Sequence, residues 1–252
     1  MSAKADTPKF FGAFHIISIL VIVGACVFLY TKRKLLTESI LAYMTLIIGI
    51  IMVLFEIYKQ LVITYNPASD TWVYEWYAFP FQFCSTPIYI TLLAFLFYKL
   101  KKQVIYEALM GFLATYSMVA GLMVIFVGTK SVFCPYIGIN LQTIIHHGLM
   151  FILALAILFS GQLPFTKRTF IGSFAVFAPL LVLAMILNTF NPALDLFYIS
   201  PHSTFAFKII SDIFFGGRLP YLVYLVGYIV LFTGASALVL YIANKITNKK
   251  SA

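Results

Sequence analysis

The sequence predicts an all-α integral membrane protein: a seven-helix bundle forming one polytopic domain over residues 1–252. Three observations predict it. Hydrophobic residues make up 62% of the chain and charged residues 10%, too little polar surface for a globule in water. Seven segments reach the roughly 20 apolar residues that cross a bilayer, and helices are the open structures that pair their own backbone in hydrocarbon. Basic residues gather at the segment ends and are denser on one side.

Span one runs from about 10 to 31 and stops at Lys32, Arg33 and Lys34. It is too long for the apolar core of a signal peptide and lacks a small-residue cleavage site, so it reads as an uncleaved helix. Span two, about 36 to 62, carries Glu56 and Lys59 near its end. Span three, about 76 to 98, contains "YAFPFQFCSTPIYI", with Pro80, Gln82, Cys84 and Pro87 inside one expected helix. The two prolines would free the carbonyls of Trp76 and Phe83 and bend that helix. Cys84 shares a face with Pro80 and Pro87, and Gln82 points to a different neighbour. Lys99, Lys101 and Lys102 close the span.

Span four covers about 104 to 127. Span five, about 139 to 161, opens with Gln142, His146 and His147 and is followed by Lys167 and Arg168. Span six, about 170 to 190, ends near Asn188 and Asn191. In the loop that follows, "SPHSTFAFKIISDIFFGG" has an apolar middle between Pro201 and Gly216–Gly217, which predicts a short interfacial helix capping a pocket, with His202 solvated. Span seven, about 220 to 243, precedes Lys245, Lys249 and Lys250.

The other side holds Lys4, Lys9, Lys59, Lys130, Lys208 and Arg218, interleaved with Asp6, Glu56, Asp70, Asp195 and Asp212. The positive-inside rule therefore puts the N-terminus outside and the C-terminus in the cytoplasm, in a multi-pass protein of the plasma membrane. The formal charge of +9 is not a nucleic-acid signal, because the basic residues sit at helix ends rather than on one soluble face.

On this topology nearly all polar residues within spans fall in the outer third: His15, Glu56, Lys59, Gln82, Cys84, Gln142, His146, His147, Asn188 and Asn191. Ionisable groups at such depth are costly and face a bundle interior or wet cavity; the alternative is hydrogen-bonded glue between helices. Cys84 and His147 each lie about eight residues, or ~12 Å, below the outer ends of their helices. An imidazole beside a thiol can take its proton and make a nucleophilic thiolate, so Cys84 with His147 is a candidate dyad if helices three and five meet. Cys26, without polar company, reads as a small hydrophobe. A Cys84–Cys134 disulfide is disfavoured by depth. Two adjacent histidines without a spaced third ligand are a weak zinc signal, so neither a metal nor another cofactor is expected.

At these residues the sequence resembles the YwaF-like bacterial membrane proteins, a family related to eukaryotic transmembrane protein 164. The resemblance rests on "FFGAFH" ending at His15, "FPFQFC" from Phe79 to Cys84, "HHGLM" with His147 and Gly148, and "NTFNPALDLFYISP" after helix six. Phenylalanines replace the family's leucines around the cysteine, and Gln82 stands where many members have His. The resemblance implies a seven-helix protein whose eukaryotic relative is a phospholipid acyltransferase using a Cys and a His, matched here by Cys84 and His147, with His146 beside the latter.

The function expected from both lines is a membrane-embedded lipid acyltransferase or acyl hydrolase, working through an acyl thioester on Cys84 with His147 as general base and acid. Its partners would be membrane lipids, a phospholipid or lysolipid as acyl donor or acceptor. His146, Gln82, Asn188 and Asn191 are candidates to stabilise the oxyanion; His15, with Glu56 and Lys59, could orient a base or bind a head group. The rival readings are a small-solute transporter with an outward-facing polar pocket and a non-catalytic receptor or assembly protein; fold alone does not choose among the three.

Overall fold

In the computed structural model the chain is helical apart from its connections and one two-residue hairpin, as the hydropathy pattern requires. The structure describes residues 6–127, 132–164, 166–202 and 206–248. Lys4, Lys130, Lys249 and Lys250, read above as flanking charges, lie outside the described residues.

Helix α1, Ala13–Thr31, buries His15, Ile22 and Cys26. Their spacing puts them on one stripe, and the rest of the helix faces outward. Helix α2, Glu38–Thr64, starts at Thr37, whose hydroxyl accepts the backbone N–H of Ile40, an N-cap that satisfies one of the free donors of the first turn. Leu41, Thr45, Ile48, Met52 and Glu56 form its buried stripe. Strands β1, Tyr65–Asn66, and β2, Thr71–Trp72, make a small antiparallel hairpin beyond it.

The third span departs from the expectation of one bent helix. A single 3-10 turn at Trp76–Ala78 is followed by irregular chain, then a second at Phe83–Ser85, and regular helix α3 runs only over Thr86–Lys99. The prolines explain this. Pro80 forces Phe79 into extended geometry, with ψ 130, because the ring clashes with a helical predecessor. Pro87 sits in the first turn of α3, where its missing N–H costs nothing. Neither proline bends a helix; they fix where one begins.

Helix α4, Gln103–Ala114, breaks at Thr115 (φ −121, ψ −75) and continues as α5, Tyr116–Leu122, then as a π-type turn over Met123–Val127. This span is the most buried and lies at the centre, packing on α3, on α6 (Ile137–Ser160) and on α7 (Lys167–Phe190), with α5 also against α9 (Tyr221–Asn248). Close approach depends on small residues: a Cβ on Gly111 would lie 2.4 Å from Ser173 Oγ of α7, and one on Gly121 would lie 3.0 Å from the His147 carbonyl of α6. Tyr116 stacks on Phe177 at 4.5 Å and on Phe112 at 5.6 Å.

Helix α6, Ile137–Ser160, ends at Gly161 with φ +68, the left-handed cap that glycine adopts without strain. Helix α7, Lys167–Phe190, is capped by Thr166. A 3-10 turn at Leu196–Tyr198 follows. Helix α8, Ala206–Phe215, forms between Pro201 and Gly216–Gly217 where an interfacial helix was expected, and α9, Tyr221–Asn248, completes the fold. Among the described residues, six helices are long and apolar enough to cross a membrane; Phe83–Lys99 is a shorter apolar helix.

Candidate functional site

The bundle has two chemically different ends. At one, Lys99 Nζ meets the Tyr43 hydroxyl at 3.2 Å and Gln103 reaches Glu38, close to the loops holding Arg33 and Lys34. The other end gathers the polar residues, and the irregular stretch ahead of α3 is the reason it must. A chain that leaves helical geometry inside a bundle exposes carbonyls that need partners. Here side chains supply them: Gln60 Nε2 donates to the Ala78 carbonyl at 2.6 Å, the Tyr89 hydroxyl to Pro80 at 2.6 Å, Thr86 Oγ1 to Phe83 at 2.8 Å, and His146 Nε2 to Cys84 at 2.8 Å.

The last contact brings α6 to the cysteine. Since a carbonyl only accepts, His146 carries its proton on Nε2, and in the neutral ring Nδ1 is left with a lone pair. His147 is held the same way with the nitrogens exchanged: Nδ1–H donates to the Thr143 carbonyl at 2.7 Å, and Nε2 keeps the lone pair. The two rings lie 5.2 Å apart between centroids. His146 is 3% and His147 8% exposed, and neither free nitrogen has a hydrogen-bond partner among the described residues. Cys84 is a half-buried free thiol, as are the half-buried Cys134 and the buried Cys26. The thiol makes no hydrogen bond to either ring.

The C-terminal end of α2 lies at this same end of the bundle. Glu56 is ion-paired with Lys59 at 2.8 Å and accepts from Gln60 Nε2 at 2.7 Å, so Gln60 links Glu56 to the Ala78 carbonyl.

The predicted amide donors do other work. Gln82 grips the loop after helix 167–190 through both ends of its amide, donating to the Asp195 carbonyl at 2.9 Å and accepting from Phe197 N–H at 3.0 Å. Asn188 does the same one residue away, donating to the Leu196 carbonyl at 3.1 Å and accepting from Leu196 N–H at 2.8 Å. Asn191 accepts from Ala193 N–H at 3.0 Å in a local turn. The loop so held is strained: Phe197 and Tyr198 both take positive φ, 59 and 57, a conformation unfavourable for residues with a Cβ. Phe197 is buried against Phe83, with ring centroids 5.2 Å apart, and the Tyr224 hydroxyl donates to the Tyr198 carbonyl at 2.6 Å. Tyr198 keeps part of its surface open, yet desolvation of its phenol, then its electrostatic interaction with Cys84 and Asp195, pushes its pKa up to about 12. It is a neutral phenol within electrostatic reach of Cys84.

His15 stands apart. Its Nδ1 accepts from Phe11 N–H at 2.9 Å and its Nε2–H donates to the Ile125 carbonyl at 2.8 Å, tying α1 to the π-type turn of span four. An apolar groove of about 370 Å³ opens between α1 and α6, lined by Ile17, Val21, Ile22, Ile144, Gly148 and Ile152 among others.

Gln60, Tyr89 and Thr143 were not foreseen as part of this end. A signal for Gln60 exists: it lies four residues after Glu56, on the same helix face. Tyr89 and Thr143 act through backbone partners, which a sequence does not reveal.

The model of the TMEM164 family matches residues 10–242 of the chain. No curated protein and no solved structure matches it.

Proposed function

The chain belongs to the TMEM164 family, and we propose from that premise that it is a lipid acyltransferase or acyl hydrolase working through the Cys84 thiol. The observation that supports the reading is the contact of His146 with the Cys84 carbonyl, which joins the main chain of a free cysteine to the first of two buried imidazoles that each retain an unpartnered nitrogen. Buried polar atoms are normally satisfied; basic nitrogens left open inside the bundle are suited to receive protons during chemistry.

In this mechanism His147 Nε2 takes the Cys84 proton, and the thiolate attacks the acyl carbonyl carbon of a phospholipid ester. The tetrahedral intermediate collapses with cleavage of the ester C–O bond. His147 returns the proton to the leaving alkoxide, giving a lysolipid and an acyl thioester on Cys84. A second nucleophile, a lysolipid hydroxyl or water, then releases the acyl group. The apolar groove along α1 and α6 would hold an acyl chain against the helix that carries both histidines. Gln82 and Asn188 would serve by positioning the loop at 195–198, and the Glu56–Lys59 pair would meet a head group. In the plasma membrane, with the N-terminus outside and Phe83–Lys99 as a seventh span, the site would face the outer leaflet.

Purified protein incubated with an acyl-labelled phospholipid tests this. Label should appear on Cys84 and in a lysolipid exchange product, and both should vanish in Cys84→Ala. Turnover that survives this substitution would sink the thiol mechanism.

A further inference from the structure

We propose that the chain binds one anionic phospholipid at its basic end, in a groove between α4 and α7 that has no part in the thiol reading. The groove holds about 410 Å³; Val104 and Ala108 of α4 and Ile171, Gly172 and Ala175 of α7 are among its apolar walls, and Arg168 and Glu107 complete the lining. On α7 the lining residues recur at 168, 171–172 and 175–176, one helical stripe, so the groove follows that helix for about 12 Å. Arg168 stands at its basic end, Glu107 lies one turn inward from Val104 on α4, and the remainder is apolar.

The groove exists because the two helices meet through small residues. A Cβ on Gly172 would lie 3.1 Å from the Ala108 Cβ, and one on Gly111 would lie 2.4 Å from Ser173 Oγ. Val104, Ile105 and Ile171 stay exposed on either side of this seam, leaving a crevice open to the bilayer.

Charge decides what fills it. Arg168 and Glu107 line the same groove yet are not paired, since the ion pair among the described residues is Glu56 with Lys59. Lys167 precedes Arg168, and Lys101 and Lys102 lead into α4 just before Val104. All four cations are exposed and without a carboxylate partner among the described residues. They outnumber Glu107, one of whose oxygens already accepts from Gln103 Nε2 at 3.3 Å. A basic rim over an apolar crevice between helices matches a lipid whose chain lies along the walls and whose phosphate meets Arg168, each basic residue near the surface raising binding about fivefold. A second copy of this chain would bring the same four cations against these. Glu107, an acceptor only, adds a preference for a head group with hydroxyls, of the phosphatidylglycerol type. A lipid seated here touches both helices and clamps the seam at Gly172.

The test reads lipid retention rather than turnover, so it stands whether or not Cys84 is a nucleophile. The full-length protein in neutral detergent is titrated with phosphatidylglycerol, phosphatidylethanolamine or phosphatidylcholine, and retained lipid is counted by native mass spectrometry. One phosphatidylglycerol should be held at least about fivefold more tightly than either other lipid. Arg168→Ala should weaken it about fivefold while leaving phosphatidylcholine unchanged. Ala175→Leu, which fills the apolar wall and keeps every charge, should weaken it by a similar factor. Lys99→Ala, at the same end but outside the groove, should leave it within about twofold. Equal retention of the three lipids, or wild-type retention in either groove variant, would overturn the proposal. So would an equal loss in Lys99→Ala and Arg168→Ala, which would mean diffuse attraction to the whole basic end. Displacement of the lipid by inorganic phosphate alone would show that the apolar walls take no part, with the same result.

Discussion

His15 and the pair His146–His147 are all buried imidazoles among apolar helices, yet they differ in one respect. His15 has both nitrogens engaged by main chain, Phe11 N–H on one side and the Ile125 carbonyl on the other. Each ring of the pair has one nitrogen engaged and one open. A fully satisfied histidine is a rivet between helices; a half-satisfied one has capacity left for a ligand or a proton. Burial and residue type do not separate the two cases, and a census of partners does.

The comparison can be broken most directly at the pair. Replacing His147 with Gln is expected to lower acyl transfer by about 10²- to 10⁴-fold with a small change in thermal stability, measured on the same detergent-solubilised preparation. A variant that retains wild-type turnover would remove the contrast.

The reverse pattern is expected for His15→Ala. It leaves Phe11 N–H and the Ile125 carbonyl without partners inside the protein and should cost about 2–3 kcal/mol of stability, with turnover per folded molecule falling less than about threefold. A large loss of turnover at unchanged stability would move His15 into the site.

A smaller effect is expected from Gln82→Ala, which removes two bonds to the loop at 195–197. The cost should be about 1–2 kcal/mol, and cleavage by added protease should become faster within that loop. At the opposite end, Lys99→Ala, which removes an exposed contact to Tyr43, should change stability by less than about 0.5 kcal/mol. A change as large as that of Gln82 would show that the basic end is more tightly built than its exposed contacts suggest.

Most of the helical plan was legible because hydropathy and length are properties of the chain itself: of the seven spans marked, six match helices long and apolar enough to cross a membrane among the described residues, and a helix forms at α8 between its flanking proline and glycines. Span three was misread over its first residues, since Pro80 and Pro87 can either bend a helix or set its start, and the choice depends on partners from other helices. Gln60, Tyr89 and His146 make the irregular path tolerable, and no periodicity announces them. Gln82 was assigned a neighbour different from that of Cys84, and it does bind the loop at 195–197. The expectation rested on a helical wheel that does not exist there. Depth put Cys84 level with the histidines; which of two adjacent rings touches α3 depends on helix rotation, and it is His146 that meets the Cys84 carbonyl.

The brevity of α3 reaches back to biosynthesis. Fourteen helical residues fall short of the roughly 20 that cross a bilayer on their own. The segment would therefore partition as a hairpin with α2, whose Gly49 leaves room against Thr91 and Leu92, where a Cβ would lie within 2.7 and 2.8 Å of their side chains. Residues with larger side chains at position 49 would then act during translation, leaving a nascent chain whose third segment stays outside the bilayer.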